Sequence, residues 1–268
     1  KEYTTTLSEI PIKQGMMSEC SIIVNNGLVS LSDVNVIAWS QTTAGSQIVQ
    51  NDFKVSFAGN TEGLAFSNSI DEDGGLTIMA VPYFSEYAEA KPVTIEGNAT
   101  LTQSVDDQTG ILTVRLSDIA SDVTVSFNGY YLWMTVTHEV TDISTTTMIY
   151  NYGTVERIKM DGVEIGRDKK YQFQSTGEHV MKLAFKNNIT VPTNLFYNIR
   201  TITSAVIPEG YKYIGNWAFL GCFKLKKVSL PSTLESLSYQ VFERSGIESV
   251  VVPDGCEMSY GVFGGCTS

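Results

Sequence analysis

Phenylalanines at 196, 219, 242 and 263 and prolines at 208, 231 and 253 recur every 21 to 23 residues in the last third of the chain. A fixed period of this size leaves few folds open. One such unit cannot bury an apolar face alone, so neighbouring units must stack. Each unit opens with apolar residues in an L-x-x-L-x-L pattern, at 202/205/207, 225/228/230 and 247/250/252. The last two positions alternate with a small or polar residue, which predicts a strand. Proline then ends it, because it cannot donate to a ladder. Pro208-Glu209-Gly210 and Pro253-Asp254-Gly255 supply turn chemistry. The stacked arrangement places Phe over Phe, with the 205/228/250 and 207/230/252 rows beside it. Ser204, Val206, Lys227, Ser229, Ser249 and Val251 then face outward. Three strands make a strip far narrower than the roughly 800 Å² per partner of a standard interface. A partner site is therefore expected to reach the neighbouring edge, at Tyr211, Tyr213, Trp217, Lys224 and Lys227, or the preceding β domains.

The stretch "IPEGYKYIGNWAFLGCFKLKKVSLPSTLESLSYQVFERSGIESVVVP" carries an IP…IG…AF.GC..L..V.LP cadence. It resembles the BspA-like class of leucine-rich repeats, found in surface proteins of anaerobic and host-associated bacteria. Leu237-Ser238 departs from the usual Ile-Gly, and three copies plus a degenerate one near Val191 to Phe196 are present. Upstream, "IKMDGVEI…YQFQSTGEHVMKLAF" resembles a segment that precedes such repeats. The resemblance implies that this unit caps the first coil. It also implies adhesion to host or cell-surface macromolecules, and an extracellular or cell-surface location.

The chain has 268 residues and a net charge of −11. Residues 1–143 hold 18 Asp and Glu against 5 Lys and Arg, and the remainder is slightly basic. An acidic front half argues against nucleic acid and anionic lipid as partners. No apolar run is long enough to span a membrane. The chain begins at Lys1 without a leader, which reads as a mature or trimmed chain. Cys222 and Cys266 share a phase two coils apart, which at ~4.8 Å per stacked strand puts their Cα atoms about 10 Å apart. That exceeds the ~7 Å bridging limit, so all four cysteines are expected free.

Short alternating runs fill the front. Ser21 to Leu31 reads as a hairpin about Asn25-Asn26-Gly27. Val34 to Trp39, Phe53 to Phe57, Leu76 to Val81, Pro92 to Glu96, Ala99 to Gln103, Gly110 to Leu116 and Asp122 to Phe127 follow as strands. This spacing predicts an antiparallel, immunoglobulin-like sandwich over 1–128. A division near Pro92 is the alternative. Asn128-Gly129 is a joint, and Trp133 beyond it is expected in a core. Residues 129–188 form a small β unit with strands at Thr145 to Tyr150, Val155 to Met160, Tyr171 to Gln174 and His179 to Phe185. The array occupies 189–268. The fold class is mainly β.

Catalytic motifs are missing. His138 sits in His-Glu-Val-Thr-Asp without the second His of a zinc-protease helix, and no phosphate or nucleophile loop is present. Asp71-Glu72-Asp73-Gly74-Gly75 is the best metal candidate, yet it reads as a solvated turn without Ca²⁺ ligand spacing. No cofactor or metal is expected. The leading expectation is a non-enzymatic surface or secreted binding protein with a protein or glycan partner. The alternative is a carbohydrate-handling accessory protein or enzyme that uses the acidic sandwich.

Overall fold

The computed structural model describes residues 47–50, 53–83 and 87–266. The hairpin at 21–31, the strand at 34–39 and Cys20 lie outside the described residues. The chain is mainly β.

In the front unit, alternation decides which side chains face inward. Val55 and Phe57, Leu76, Ile78 and Ala80, Leu112, Val114 and Leu116, and Val123, Val125 and Phe127 are all buried, and polar neighbours point out. Gln47–Gln50, Phe53–Asn60, Val123–Asn128 and Thr94–Glu96 form one sheet in that order. Leu64–Ile70, Leu76–Pro82, Leu112–Ser117 and Thr100–Val105 form the other. Both feed one core, where Phe66 meets Phe127 at 4.7 Å and Phe57 meets them at 5.5 and 5.6 Å.

The strands and their pairing differ from the expectation. Gln47–Gln50, Leu64–Ile70 and Ala88–Ala90 are strands beyond the expected set; in Leu64–Ile70 only Leu64 and Phe66 alternate before the polar run Ser67-Asn68-Ser69. Phe53–Asn60 and Val123–Asn128 pair in parallel, not antiparallel. More than 60 residues separate them, so the long crossover that parallel pairing needs is already present. In the 71–75 turn, Arg115 donates from Nε to Asp71 at 2.8 Å and also contacts Asp73.

Strand Tyr130–Val140 is the hub of the rest. It pairs antiparallel with Gly177–Phe185 on one side and Ile202–Val206 on the other. The sheet runs Val163–Ile165, Val155–Met160, Gly177–Phe185, Tyr130–Val140, Ile202–Val206, Lys227–Ser229, and a seventh strand, Ala88–Ala90, pairs with the start of Tyr130–Val140. Leu132, Met134, Val136, His138 and Val140 all turn to one face and are buried. That face is continuous with the repeats, and one hydrophobic cluster runs from Ala88 to Val262.

Beside the hub strand, the buried carboxylate of Glu89 accepts hydrogen bonds from Arg157 Nη1 at 2.7 Å, Lys159 Nζ at 2.9 Å and Trp133 Nε1 at 2.9 Å. A buried charge is tolerated only with such a full set of donors. Trp133 is buried as expected.

In the repeats, Phe196, Phe219, Phe242 and Phe263 stack at 5.7, 5.4 and 5.6 Å between centroids. A second ladder of short parallel strands links Thr190–Val191, Tyr213–Ile214, Ser236–Leu237 and Glu257–Met258. Two corners flank each Phe, and both use left-handed backbone. Asn194, Trp217, Gln240 and Gly261 form one such row, and Asn198, Gly221, Arg244 and Gly265 the other. This geometry turns backbone N–H groups along the stack axis. Trp217 donates to Tyr239 O and Gln240 to Tyr260 O, while Gly221 donates to Glu243 O and Arg244 to Gly264 O. Left-handed Trp, Gln and Arg are strained, and the inter-coil bonds offset that cost.

The third unit departs from the pattern. Residues 247–253 form no strand. No coil among the described residues lies beyond them to pair the outer edge, and Val251 is 85% exposed.

Candidate functional site

The structure separates the five residues expected at a partner edge. Tyr211 is fully buried, and its hydroxyl donates to Leu132 O at 3.1 Å. It fixes the first coil to the hub strand and is unavailable to a partner. This corrects the expectation, and the cause is tertiary: the hub strand covers the side where Tyr211 points. Tyr213 is partly exposed but engaged, donating to Glu235 at 2.6 Å while Lys212 pairs with the same carboxylate at 2.9 Å. Trp217 is half-buried, donates from Nε1 to Gln240 Oε1 at 2.9 Å and meets Tyr239 edge-on at 5.9 Å. Tyr260 stacks on Tyr239 in turn.

Lys224 and Lys227 lie elsewhere. With Lys226, Phe223, Thr137, Glu178, Thr203 and Ser204 they line a shallow basin of about 440 Å³. Arg200 stands 5.3 Å from the Phe223 ring centroid, and Lys226 pairs with Glu248 at 3.0 Å. Sequence reasoning found the lysines. It missed Thr137 and Glu178, which come from the hub strand and its partner. No local signal places them beside a lysine some 50 to 90 residues downstream.

The outward strip is also wider than expected. Ser204 pairs with Thr137 on one side and Lys227 on the other, and Val206 pairs with Thr135 and Ser229. The strip therefore continues through Val180 and Lys182 as far as Lys159 and Arg157, where the Glu89 carboxylate of the front unit covers it. Six strands at about 4.8 Å replace three.

Both histidines belong to the hub sheet, paired across it as His138 and His179. His138 is buried, with Nδ1 2.8 Å from Thr201 Oγ1 and its ring against Phe173 and Phe196. Burial lowers its pKa to about 3, and nearby His179 adds to the effect, so it is neutral. His179 Nδ1 lies 2.7 Å from Asp161 Oδ2. Its Nε2 lies 3.0 Å from Ser175 O and 3.3 Å from Ser175 Oγ. Ser, His and Asp are thus adjacent, but acceptors face both ring nitrogens. The Asp161 hydrogen bond raises the His179 pKa. A general base needs a bare Nε2 toward the hydroxyl, whereas this one donates to a carbonyl. The cluster braces two turns.

The described cysteines, 222, 256 and 266, are free. Cys222 Sγ donates to Phe196 O at 3.0 Å and Cys266 Sγ to Phe242 O at 3.1 Å, one coil back in each case. Burial pushes the Cys222 thiol up to about 12, which makes it unreactive. No group of three or more potential metal ligands occurs among the described residues. No helix among them is long and apolar enough to cross a membrane.

Residues 189–268 match the family described as BspA type leucine rich repeat region (6 copies). No curated protein and no solved structure matches the chain.

Proposed function

We propose, from the premise that the C-terminal part of this chain belongs to the BspA-type leucine-rich repeat family, that the protein is a non-enzymatic binding protein. Its place is the bacterial cell surface or the secreted space, and its partner is a macromolecule of a host or neighbouring cell. Repeats of this kind are generally protein-interaction modules. On this reading residues 189–268 are a short solenoid, 129–188 are its cap, and 1–128 are an immunoglobulin-like sandwich that holds it away from an anchor. The pairing of the two front sheets around one core supports the sandwich assignment.

The observation that carries the reading is the continuous outward sheet from cap into repeats, which ends in the lysine basin. Thr135, Thr137, Ser204, Val206 and Ser229 give a low, uncharged floor. Glu178 lines the same basin, but Lys224 and Lys227 pair with no carboxylate among the described residues, so they offer cations to an acidic surface. The brace at Ser175, His179 and Asp161 supplies no nucleophile and favours binding over turnover.

The test is surface plasmon resonance of the whole chain over immobilised fibronectin, laminin and collagen, with the double variant Lys224→Glu/Lys227→Glu alongside Trp217→Ala. Binding to one matrix protein, weakened at least tenfold by the lysine reversals and unchanged by Trp217→Ala, is expected. Loss with Trp217→Ala alone would return the site to the aromatic edge.

A further inference from the structure

A second concave site lies at the seam between the 129–188 unit and the first coil. It is a cleft of about 680 Å³ lined by Tyr150, Asn151, Tyr152, Gly153, Lys169, Asn194 and Tyr197. This volume lies within the ~300–1,000 Å³ range of small-ligand sites. One wall is the turn Tyr152–Thr154, and the other is the corner of the first coil. The walls are tied together. Tyr150 N donates to Leu195 O at 3.0 Å, and the Asn151 side-chain amide donates to Thr193 O. Asn151 and Asn194 both hold left-handed backbone, at φ of 56° and 59°. These contacts tie the two walls of the cleft to each other.

Its chemistry is specific. Tyr150 and Tyr197 meet edge-on at 6.3 Å, and Lys169 Nζ stands 5.9 Å over the Tyr150 ring. Tyr152 makes no ring contact among the described residues and is 45% exposed; Tyr197 is 38% exposed. The three tyrosine hydroxyls, the Asn194 side-chain amide and the Lys169 ammonium have no hydrogen-bond or ion-pair partner among the described residues. No Asp or Glu lines the cleft.

A pyranose ring has an apolar C–H face and a rim of hydroxyls. Exposed aromatic faces beside amide and phenol groups match both parts. The single cation, with no opposing carboxylate, adds a place for one negative charge. We propose that this cleft binds a carboxylate-bearing sugar residue, a sialic or uronic acid. Its C–H face would stack on Tyr152, its hydroxyls would reach Asn194 and Tyr197, and its carboxylate would meet Lys169. The site is separate from the lysine basin and does not depend on it.

The test is a ¹H–¹⁵N NMR titration of the whole chain with N-acetylneuraminic acid, methyl glucuronide and methyl galactoside. Saturable shifts confined to 150–153, 169 and 194–197 are expected, strongest for the two acids. Tyr152→Ala should weaken acid binding at least tenfold with the rest of the spectrum unchanged. Lys169→Gln should remove the preference for acids while leaving weak binding of all three. Lys224→Glu/Lys227→Glu should change nothing here, so failure of the basin reading and failure of this one are distinguishable. No saturable shift from any sugar, or shifts that survive Tyr152→Ala, would overturn the site. Equal affinity for acids and galactoside in the unmodified protein would overturn the carboxylate assignment.

Discussion

The two ends of the repeat stack are built from nearly the same sequence unit and have different fates. At the first end the hub strand and Tyr150–Thr154 lie over the coil, and Phe196, Ala205, Ile207 and Tyr211 are buried. At the last end nothing among the described residues lies over the coil. Phe263 is only partly buried, Val252 likewise, and Val251, Met258 and Tyr260 are exposed. The same L-x-x-L-x-L pattern gives a strand at 202–206 and none at 247–253. The contrast teaches that a coil's structure is set by its neighbours more than by its own pattern, as expected where stability is a sum of units and interfaces.

The sharpest way to break this contrast is to truncate one ring at each position. Phe219→Ala should cost about 3–5 kcal/mol, the usual range for a fully buried aromatic. Phe263→Ala should cost about half of that or less, because only one ring face is covered. Urea melts would measure both. Equal losses would mean that the last coil is as well supported as the second.

Acid should find the covered end. His138 packs on Phe196, the first ring of the ladder, and its folded pKa of about 3 lies below the ordinary 6.5. The unfolded chain takes up a proton below pH 6.5 that the folded chain refuses. Stability is therefore intact above that pH and falls as pH drops toward 3, on the order of a few kcal/mol from this group. His179 runs the other way. Its raised pKa gives stability that is present below pH 6.5 and lost as pH rises through the folded value. Thermal melts from pH 7 to 4 should show a shallower acid loss in His138→Leu than in the parent. A parallel decline would sink the assignment.

A finer comparison uses glycines at one corner. Gly221 and Gly265 both have positive φ, at 74° and 66°. Alanine should cost about 1–2 kcal/mol at either from backbone strain. A Cβ on Gly221 would also sit 2.0 Å from Asn198 Oδ1 in the coil before, whereas one on Gly265 would meet Arg244 Cγ at 3.4 Å. Gly221→Ala should be the worse of the two, and the reverse order would mean that inter-coil contacts do not matter at this corner.

The smallest expected effect is a gain. Arg244 holds left-handed backbone at φ 55° on an exposed corner. Arg244→Gly should stabilise by roughly 0.5–1 kcal/mol if relief of strain exceeds the added freedom of the unfolded chain. A melt at or below the parent's would show that the inter-coil bond already removes the strain.

Local spacing was enough to read the period, the Phe ladder, most of the described front strands and the burial of Trp133. Each follows from local spacing: alternation of 2 fixes a strand's inner face, and a recurrence near 22 fixes what lies over what. The tertiary structure alone decided what those faces meet. It buried Tyr211 under a strand about 80 residues upstream, separated Lys224 and Lys227 from Trp217, and widened a three-strand strip into a six-strand sheet. It also paired Asp161 with His179 and closed the tyrosine cleft at a seam between two units. The corners at Trp217, Gln240 and Arg244 were illegible for a related reason. Nothing in those side chains favours left-handed backbone, and only the carbonyl of the next coil makes it tolerable.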